Sequence, residues 1–368
     1  VLAAKFDDRW HLIRGVAVAI IAVMVTTYVS AQMVATGKAF SGFIGLDYRA
    51  GVIIGAVIII GYTFVGGYKA VSYTDVVQGV LMLAGLIAVP LVAISAAGGW
   101  GQMTATLNEY DPGFIDMFSV LDGSTAGFVA AVSFAAIGLP FLGVPQMLIR
   151  YMSARDDTEL KKARIVSITV LFIFLFGAVT AGIAGRALFP GLEDSEQVFP
   201  TLASELFPPL LTGVLFVIVL SAIMSTVDSL LLLASSSIVR DTMQKILGNP
   251  SSDATLAGYG KVVTVIIGVI AVFVAVYMAE NKLIFWFVLF SWSGLGAAFG
   301  PVVLALLYDR RTTGAGIVAG MLGGFLTSLV WVQFFKAGAY GLYEAIPGFT
   351  VAAVATVVVS RMTGKQSR

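Results

Sequence analysis

Ten apolar stretches separated by short polar ones make up most of this chain. They run approximately over residues 12–37, 47–66, 74–98, 125–149, 163–188, 209–239, 259–279, 283–307, 314–335 and 342–362. An α-helix needs about 20 apolar residues to cross a bilayer, so the pattern predicts an all-α polytopic membrane protein with about ten transmembrane helices. Two stretches depart from a plain lipid-facing composition. In the fourth, Gly138-Leu-Pro-Phe-Leu-Gly-Val-Pro145 places two glycines and two prolines at mid-span. Proline removes a backbone donor and clashes with the preceding turn, so the helix is predicted to unwind there. Unwound backbone within a membrane is tolerated only where it is buried in protein or lines a cavity. Secondary transporters hold substrates and ions at such breaks; a simple proline kink is the plainer alternative.

The sixth stretch is polar at its centre. Ser221 to Ser237 reads Ser-Ala-Ile-Met-Ser-Thr-Val-Asp-Ser-Leu-Leu-Leu-Leu-Ala-Ser-Ser-Ser. Ala222, Ser225, Thr226 and Ser229 recur at i, i+3, i+4 and i+7, which sets them on one helical face, with Asp228 on its flank. Oxygen ligands on one face at mid-membrane suit a small hard cation. Membrane Ser and Thr also bond back to the i−4 carbonyl or let helices approach closely. A carboxylate at that depth is costly, however, and marks an ion or substrate path. Tyr28 and Gln32, at i and i+4 in the first stretch, need partners if buried. The paired glycines at 66 and 67 predict a tight turn before the third stretch, with Thr74 or Asp75 as its N-cap. The last two stretches read as peripheral packing helices.

Composition supports the membrane class: of 368 residues, 58% are hydrophobic and 12% charged, and mean hydropathy is +0.96. With 40 glycines the helices can pack closely. There is no cysteine and one histidine, His11, which excludes thiol chemistry and any His-based metal site. A net charge of +1 gives no field for nucleic acid. No nucleophile–base pair or metal cluster suggests an enzyme, and nothing calls for an obligate protein partner besides the lipid bilayer.

Charge sets orientation. With a cytoplasmic N-terminus, Lys5, Arg9, Arg14, Lys69, Arg150, Arg155, Lys161, Lys162, Arg164, Arg240, Lys245, Lys261, Arg310, Arg311, Arg361, Lys365 and Arg368 fall inside. Of the 22 basic residues only Lys38, Arg49, Arg186, Lys282 and Lys336 fall elsewhere. The expected location is the cell's inner (plasma) membrane, multi-pass, with both ends cytoplasmic. Two outer loops are acidic, one carrying Glu109, Asp111, Asp116 and Asp122, the other Glu193, Asp194, Glu196 and Glu205. They read as solvated faces, with cation concentration the alternative. Val1 stands where a Met is expected, which predicts a chain whose upstream part is missing.

Four pieces in order carry a resemblance: Gly66-Gly-Tyr-Lys-Ala-Val-Ser-Tyr-Thr-Asp-Val-Val-Gln78, Ala222-Ile-Met-Ser-Thr226, Gly296-Ala-Ala-Phe-Gly-Pro-Val-Val303 and Leu342-Tyr-Glu-Ala-Ile-Pro-Gly-Phe349. The chain resembles the sodium/solute symporter family, most of all its bacterial sodium/proline branch. The resemblance implies two inverted five-helix repeats of the amino acid/sodium symporter type, the first incomplete here. Residues 1–98 would be the last three helices of the first repeat and 99–124 an extracellular loop. Residues 125–307 would be the second repeat with its broken first helix, and 308–368 two C-terminal helices and a cytoplasmic tail. It also implies Na+ as coupling ion, bound by the Ala222 carbonyl and the Ser225 and Thr226 hydroxyls together with carbonyls from upstream of Val1. On that account the chain alone is not expected to transport.

Asp75 matches an aspartate on the family's sodium exit path, and Asp228 falls at a position of a further cation site in two-sodium relatives. Tyr28 and Pro145 match substrate positions, whereas the carriers' tryptophan and tyrosine on the broken helix fall at Ile137 and Phe141. The implied function is sodium-coupled symport of a small organic solute, proline first, by alternating access. The alternatives are another solute (a monocarboxylate, pantothenate or another amino acid) or a transporter-like sensor domain.

Overall fold

The computed structural model of the chain describes residues 5–6, 11–110, 112–116, 118–277 and 283–364, those at 67–70 by backbone alone. Arg9, Asp111, Lys282, Lys365, Arg368 and the Lys69 side chain, which enter the charge pattern, lie outside the described residues. Among those residues every regular element is helical, and ten helices are long and apolar enough to cross a membrane. The spans begin with α1 (Leu12–Ile44) and α2 (Tyr48–Ala96), the latter supplying two of them; α3 (Trp100–Tyr110) is a short loop helix. The fourth span is α4 (Thr125–Ala135), a 3-10 segment (Ala136–Leu142) and then, past Gly143, α5 (Pro145–Met152). Next come α6 (Asp157–Leu188), the short α7 (Val198–Leu206) and α8 (Pro209–Ser236), which continues as a π-helix (Ser237–Ile246). The chain closes with α9 (Asp253–Tyr277), α10 (Ile284–Tyr308), α11 (Gly314–Val330) with a π-helical end (Trp331–Phe335), and α12 (Ala345–Thr363).

The turn expected at Gly66–Gly67 is replaced by a bend inside α2. Backbone bonding continues through it, so Asp75 is an interior helix residue and not an N-cap. The Tyr62 hydroxyl nevertheless touches the Thr74 hydroxyl. Twelve residues of straight helix would separate them by about 18 Å, beyond the reach of the two side chains, so the helix must fold back. The first arm packs on α1 and on α9, where Ile60 covers Gly268; the second lies against α6 and α8, with Leu86 on Gly177 and Ile218 on Gly85.

The main core gathers round α1 and α10: Met24, Val25 and Met33 meet Ile59, Leu230, Ala271, Leu295, Phe299 and Met321. Two-thirds (67%) of the apolar window of α10 is buried, against 39% or less in every other span, which makes α10 the central helix. Conversely, α6 exposes Ile165, Ile168, Phe172, Leu175, Phe176 and Val179, a face suited to lipid. The last two helices are less peripheral than expected. Both pack along α10, and Phe349 of α12 lies over Gly300.

Three basic residues outside the charge pattern have specific partners. Lys38 Nζ lies 2.9 Å from Asp194 Oδ2 and 2.7 Å from Glu196 Oε2. Lys336 Nζ lies 2.8 Å from the buried Glu344, whose other oxygen accepts from Ser293 Oγ at 3.4 Å. Arg186 donates to the Pro190 carbonyl at 2.8 Å. Part of the acidic loop is thereby an ion-pair anchor, a correction to its reading as a purely solvated face. Glu196 also accepts from the Phe285 amide at 3.1 Å, tying the loop to the start of α10.

Candidate ion and solute site

α8 stays helical through its polar centre because Ile223, Val227, Leu230 and Leu231 pack into the core, while its hydroxyls are satisfied by carbonyls one turn earlier. Ser225 Oγ donates to the Ala222 carbonyl at 3.0 Å and Thr226 Oγ1 donates to the same carbonyl at 3.1 Å. Three oxygens thus converge midway along a 28-residue helix. Ala222, Ser225, Thr226 and Ser229 are all half-buried, whereas Ile223, Val227 and Leu230 are buried.

Asp228 is fully buried, and neither carboxylate oxygen has a hydrogen-bond partner. The Ser229 amide and hydroxyl lie close to it, outside hydrogen-bonding geometry, and the charge of Asp75 is near enough to act on it. Asp75, on the second arm of α2, is paired through one oxygen only: Arg150 Nη2 lies 2.7 Å from Oδ2, and Oδ1 is buried without a partner. The same guanidinium nitrogen donates to Ser229 Oγ at 2.8 Å. Arg150 thereby links Asp75 to Ser229, the residue next to Asp228 on α8, a connection that sequence spacing alone did not give.

A cavity of about 830 Å³ opens beside them. Asp75, Arg150, Ser229, Gln146, Ser236 and Lys261 are among the residues that line it. It lies at the end of the molecule that carries the basic loops, between the bend of α2, α5, α6, α8 and α9. Ser229 stands one turn, about 4.5 Å of rise, from Thr226, so the hydroxyl stripe runs from the three-oxygen cluster to the cavity wall. Among the described residues no three His, Asp or Glu side chains gather as a metal site. The oxygens gathered here are instead the Ala222 carbonyl, the Ser225, Thr226 and Ser229 hydroxyls and the Asp75 and Asp228 carboxylates, the ligand type that hard cations take.

The predicted break in the fourth span is present: the chain leaves α-helical geometry at Ala136 and re-enters it at Pro145, which sits at the start of α5, where its missing N–H costs nothing. α10 approaches the broken segment closely. A Cβ on Gly296 would collide with Pro140, and one on Gly143 would collide with Gly300. The candidate solute residues then separate. Phe141 stands edge-on to Trp292 of α10, ring centroids 4.6 Å apart, and Trp292 stands edge-on to Tyr28 at 6.5 Å. The Trp292 indole N–H is buried near the Tyr28 hydroxyl without a hydrogen bond of good geometry. Ile137 packs elsewhere, with Leu289, Tyr343 and Ala345, and Pro145 is buried at its helix start. Sequence reasoning missed Trp292 and Arg150. Trp292 lies four residues ahead of the Gly296–Val303 motif and was not singled out, and Arg150 was read only for its charge.

The sequence profile of the sodium:solute symporter family matches residues 1–324. The high-affinity proline transporter PutP of Bacillus subtilis (strain 168) is 36% identical over 372 residues, 100% of this chain and 76% of that protein. A sodium/proline symporter of Staphylococcus aureus is 36% identical over 373 residues, 98% of this chain and 71% of the relative. Among solved structures, a Na+-coupled sialic acid symporter in its substrate-bound outward-open state superimposes with a TM-score of 0.76. It shares 19% identity and is matched over 98% of this chain and 76% of its own, a likeness of fold.

Proposed function

From the premise that this chain belongs to the sodium:solute symporter family, we propose that it drives uptake of a small organic solute, proline first, with the sodium gradient. Sodium is the family's coupling ion, and the chain is a multi-pass membrane transporter, not an enzyme. One observation carries the residue-level reading: the Ala222 carbonyl and the Ser225 and Thr226 hydroxyls converge one turn from a carboxylate-lined cavity. Sodium binds at these oxygens and leaves past Ser229, Asp228 and Asp75 into that cavity. The basic end faces the cytoplasm of a plasma-membrane protein, with both chain ends inside. Residues 125–307 form one five-helix repeat, opened by the broken fourth span, and residues 1–98 belong to the other. The solute sits where the break meets α1 and α10, against Tyr28, Phe141 and Trp292, with Pro145 and Ile137 shaping the broken helix.

Both proline transporters matched at 36% identity favour proline. Phe141, which offers a wall without a hydroxyl, and Ile137, turned toward Leu289, support a second reading, a different solute on the same sodium machinery. The deciding measurement is labelled proline uptake by the natural full-length protein in proteoliposomes, with and without an inward sodium gradient. Sodium-stimulated uptake that is lost in Ser225→Ala/Thr226→Ala supports the proposal. Sodium-driven uptake of another solute only would keep the coupling and transfer the specificity question to Ile137 and Phe141. No sodium-stimulated uptake of any solute in a broad panel would overturn it.

A further inference from the structure

Arg150 occupies a position that neither the ion site nor the solute site accounts for. It lies in the last turn of α5, the short helix that follows the unwound segment. Through one nitrogen it reaches Asp75 on α2 at 2.7 Å and Ser229 on α8 at 2.8 Å, so a single side chain ties three elements together at the wall of the cavity. One guanidinium contacts Asp75, and Asp228 is fully buried with both oxygens unpartnered, while Lys261 and Arg240 line the same cavity. Asp75 keeps one oxygen without a partner as well. A guanidinium is always charged and matches a carboxylate in shape. It therefore serves as a resident countercharge on Asp75 Oδ2, in competition with a cation that takes both oxygens of that carboxylate.

We infer that Arg150 is a displaceable counter-ion: it holds Asp75 and Ser229 while no cation is there, and gives way when sodium arrives. Its departure unties α5 from α2 and α8, and its return expels the ion toward the cavity and re-ties them. Release of the cation and re-tying of the three helices are then one event, because the ion and the guanidinium compete for Asp75 Oδ2. Arg150 is a positioning residue here, acting through Asp75. The inference rests on the reading of Asp75 and Asp228 as the sodium exit path.

The test is equilibrium binding of radiolabelled sodium to the purified natural full-length protein, which needs no knowledge of the solute. Arg150→Gln is expected to bind sodium about tenfold tighter, as follows if Arg150 occupies the site roughly nine-tenths of the time. Arg150→Lys should fall between it and the wild type. In an Asp75→Asn background, Arg150→Gln should change nothing further, which a merely structural role would not produce. Should Arg150→Gln fail to fold, the Arg150→Lys shift and its disappearance with Asp75→Asn decide alone. Unchanged or weaker sodium binding in a well-folded Arg150 variant overturns the inference and leaves symport standing. Absence of sodium binding in the wild type overturns both.

Discussion

Ser225 and Thr226 spend their hydroxyl protons on the Ala222 carbonyl, which leaves their oxygen lone pairs free to face a cation. An oxygen contact to a charged group contributes about 1.5–3 kcal/mol. Ser225→Ala or Thr226→Val is therefore expected to raise the sodium half-saturation of uptake by about tenfold to a hundredfold. The solute KM at saturating sodium should move much less. At the other end of the molecule, Glu344 is 1% exposed and depends on Lys336. Removing one partner of a buried pair costs about 3–5 kcal/mol. Lys336 is itself only partly buried, so Lys336→Ala is expected at the lower limit, as a clear loss of thermal stability in detergent. Replacing both, Lys336→Met with Glu344→Gln, should cost less, because no bare charge is left buried. The aromatic contact at 4.6 Å between Phe141 and Trp292 gives a third expectation. Phe141→Ala should raise the solute KM severalfold without altering sodium binding measured in the absence of solute.

Among the elements, the broken fourth span and α10 act as one unit because glycines on both let their backbones meet. At Gly296 even a methyl group would strike Pro140, and overpacking of this kind costs about 1–3 kcal/mol. Gly296→Ala is thus expected to reduce uptake strongly at near-normal expression. Gly323→Ala, where a Cβ meets Val351 at an ordinary 3.4 Å, should be tolerated; equal uptake by the two variants would argue against the contact's importance. Helix periodicity and proline chemistry made the break itself legible, since both act within a few residues. The fold-back in α2 was misread as a loop with a cap. Its glycines signalled a change of direction, but a helix can bend without losing its backbone bonding, and only the contact between Tyr62 and Thr74 reveals that.

For the whole molecule, a sodium ion moving down the membrane potential contributes about 2.3 kcal/mol per 100 mV. One coupled sodium supports roughly 50-fold accumulation from potential alone. Imposing an inside-negative potassium diffusion potential on proteoliposomes should raise sodium-driven uptake, and clamping it to zero should lower it. Indifference to potential would mean that no net charge moves with the solute. The basic-end cavity also belongs to this scale, because α2, α5, α6, α8 and α9 all contribute to it and none forms it alone.

Taken by itself, the sequence determined the spans, the break in the fourth, the hydroxyl stripe on α8 and the family, because each rests on near-neighbour spacing or ordered motifs. Hydrophobic length counts residues against bilayer thickness, and a stripe at i, i+3, i+4 and i+7 needs only the helical period. Tertiary structure alone decided which distant groups meet. It set Arg150 between Asp75 and Ser229, gave Lys38 and Lys336 their carboxylates, and placed Trp292 beside Phe141. Charge and aromaticity mark such residues as needing partners, but their partners lie from eight to more than 150 positions away. Helix packing, not local pattern, brings them within reach.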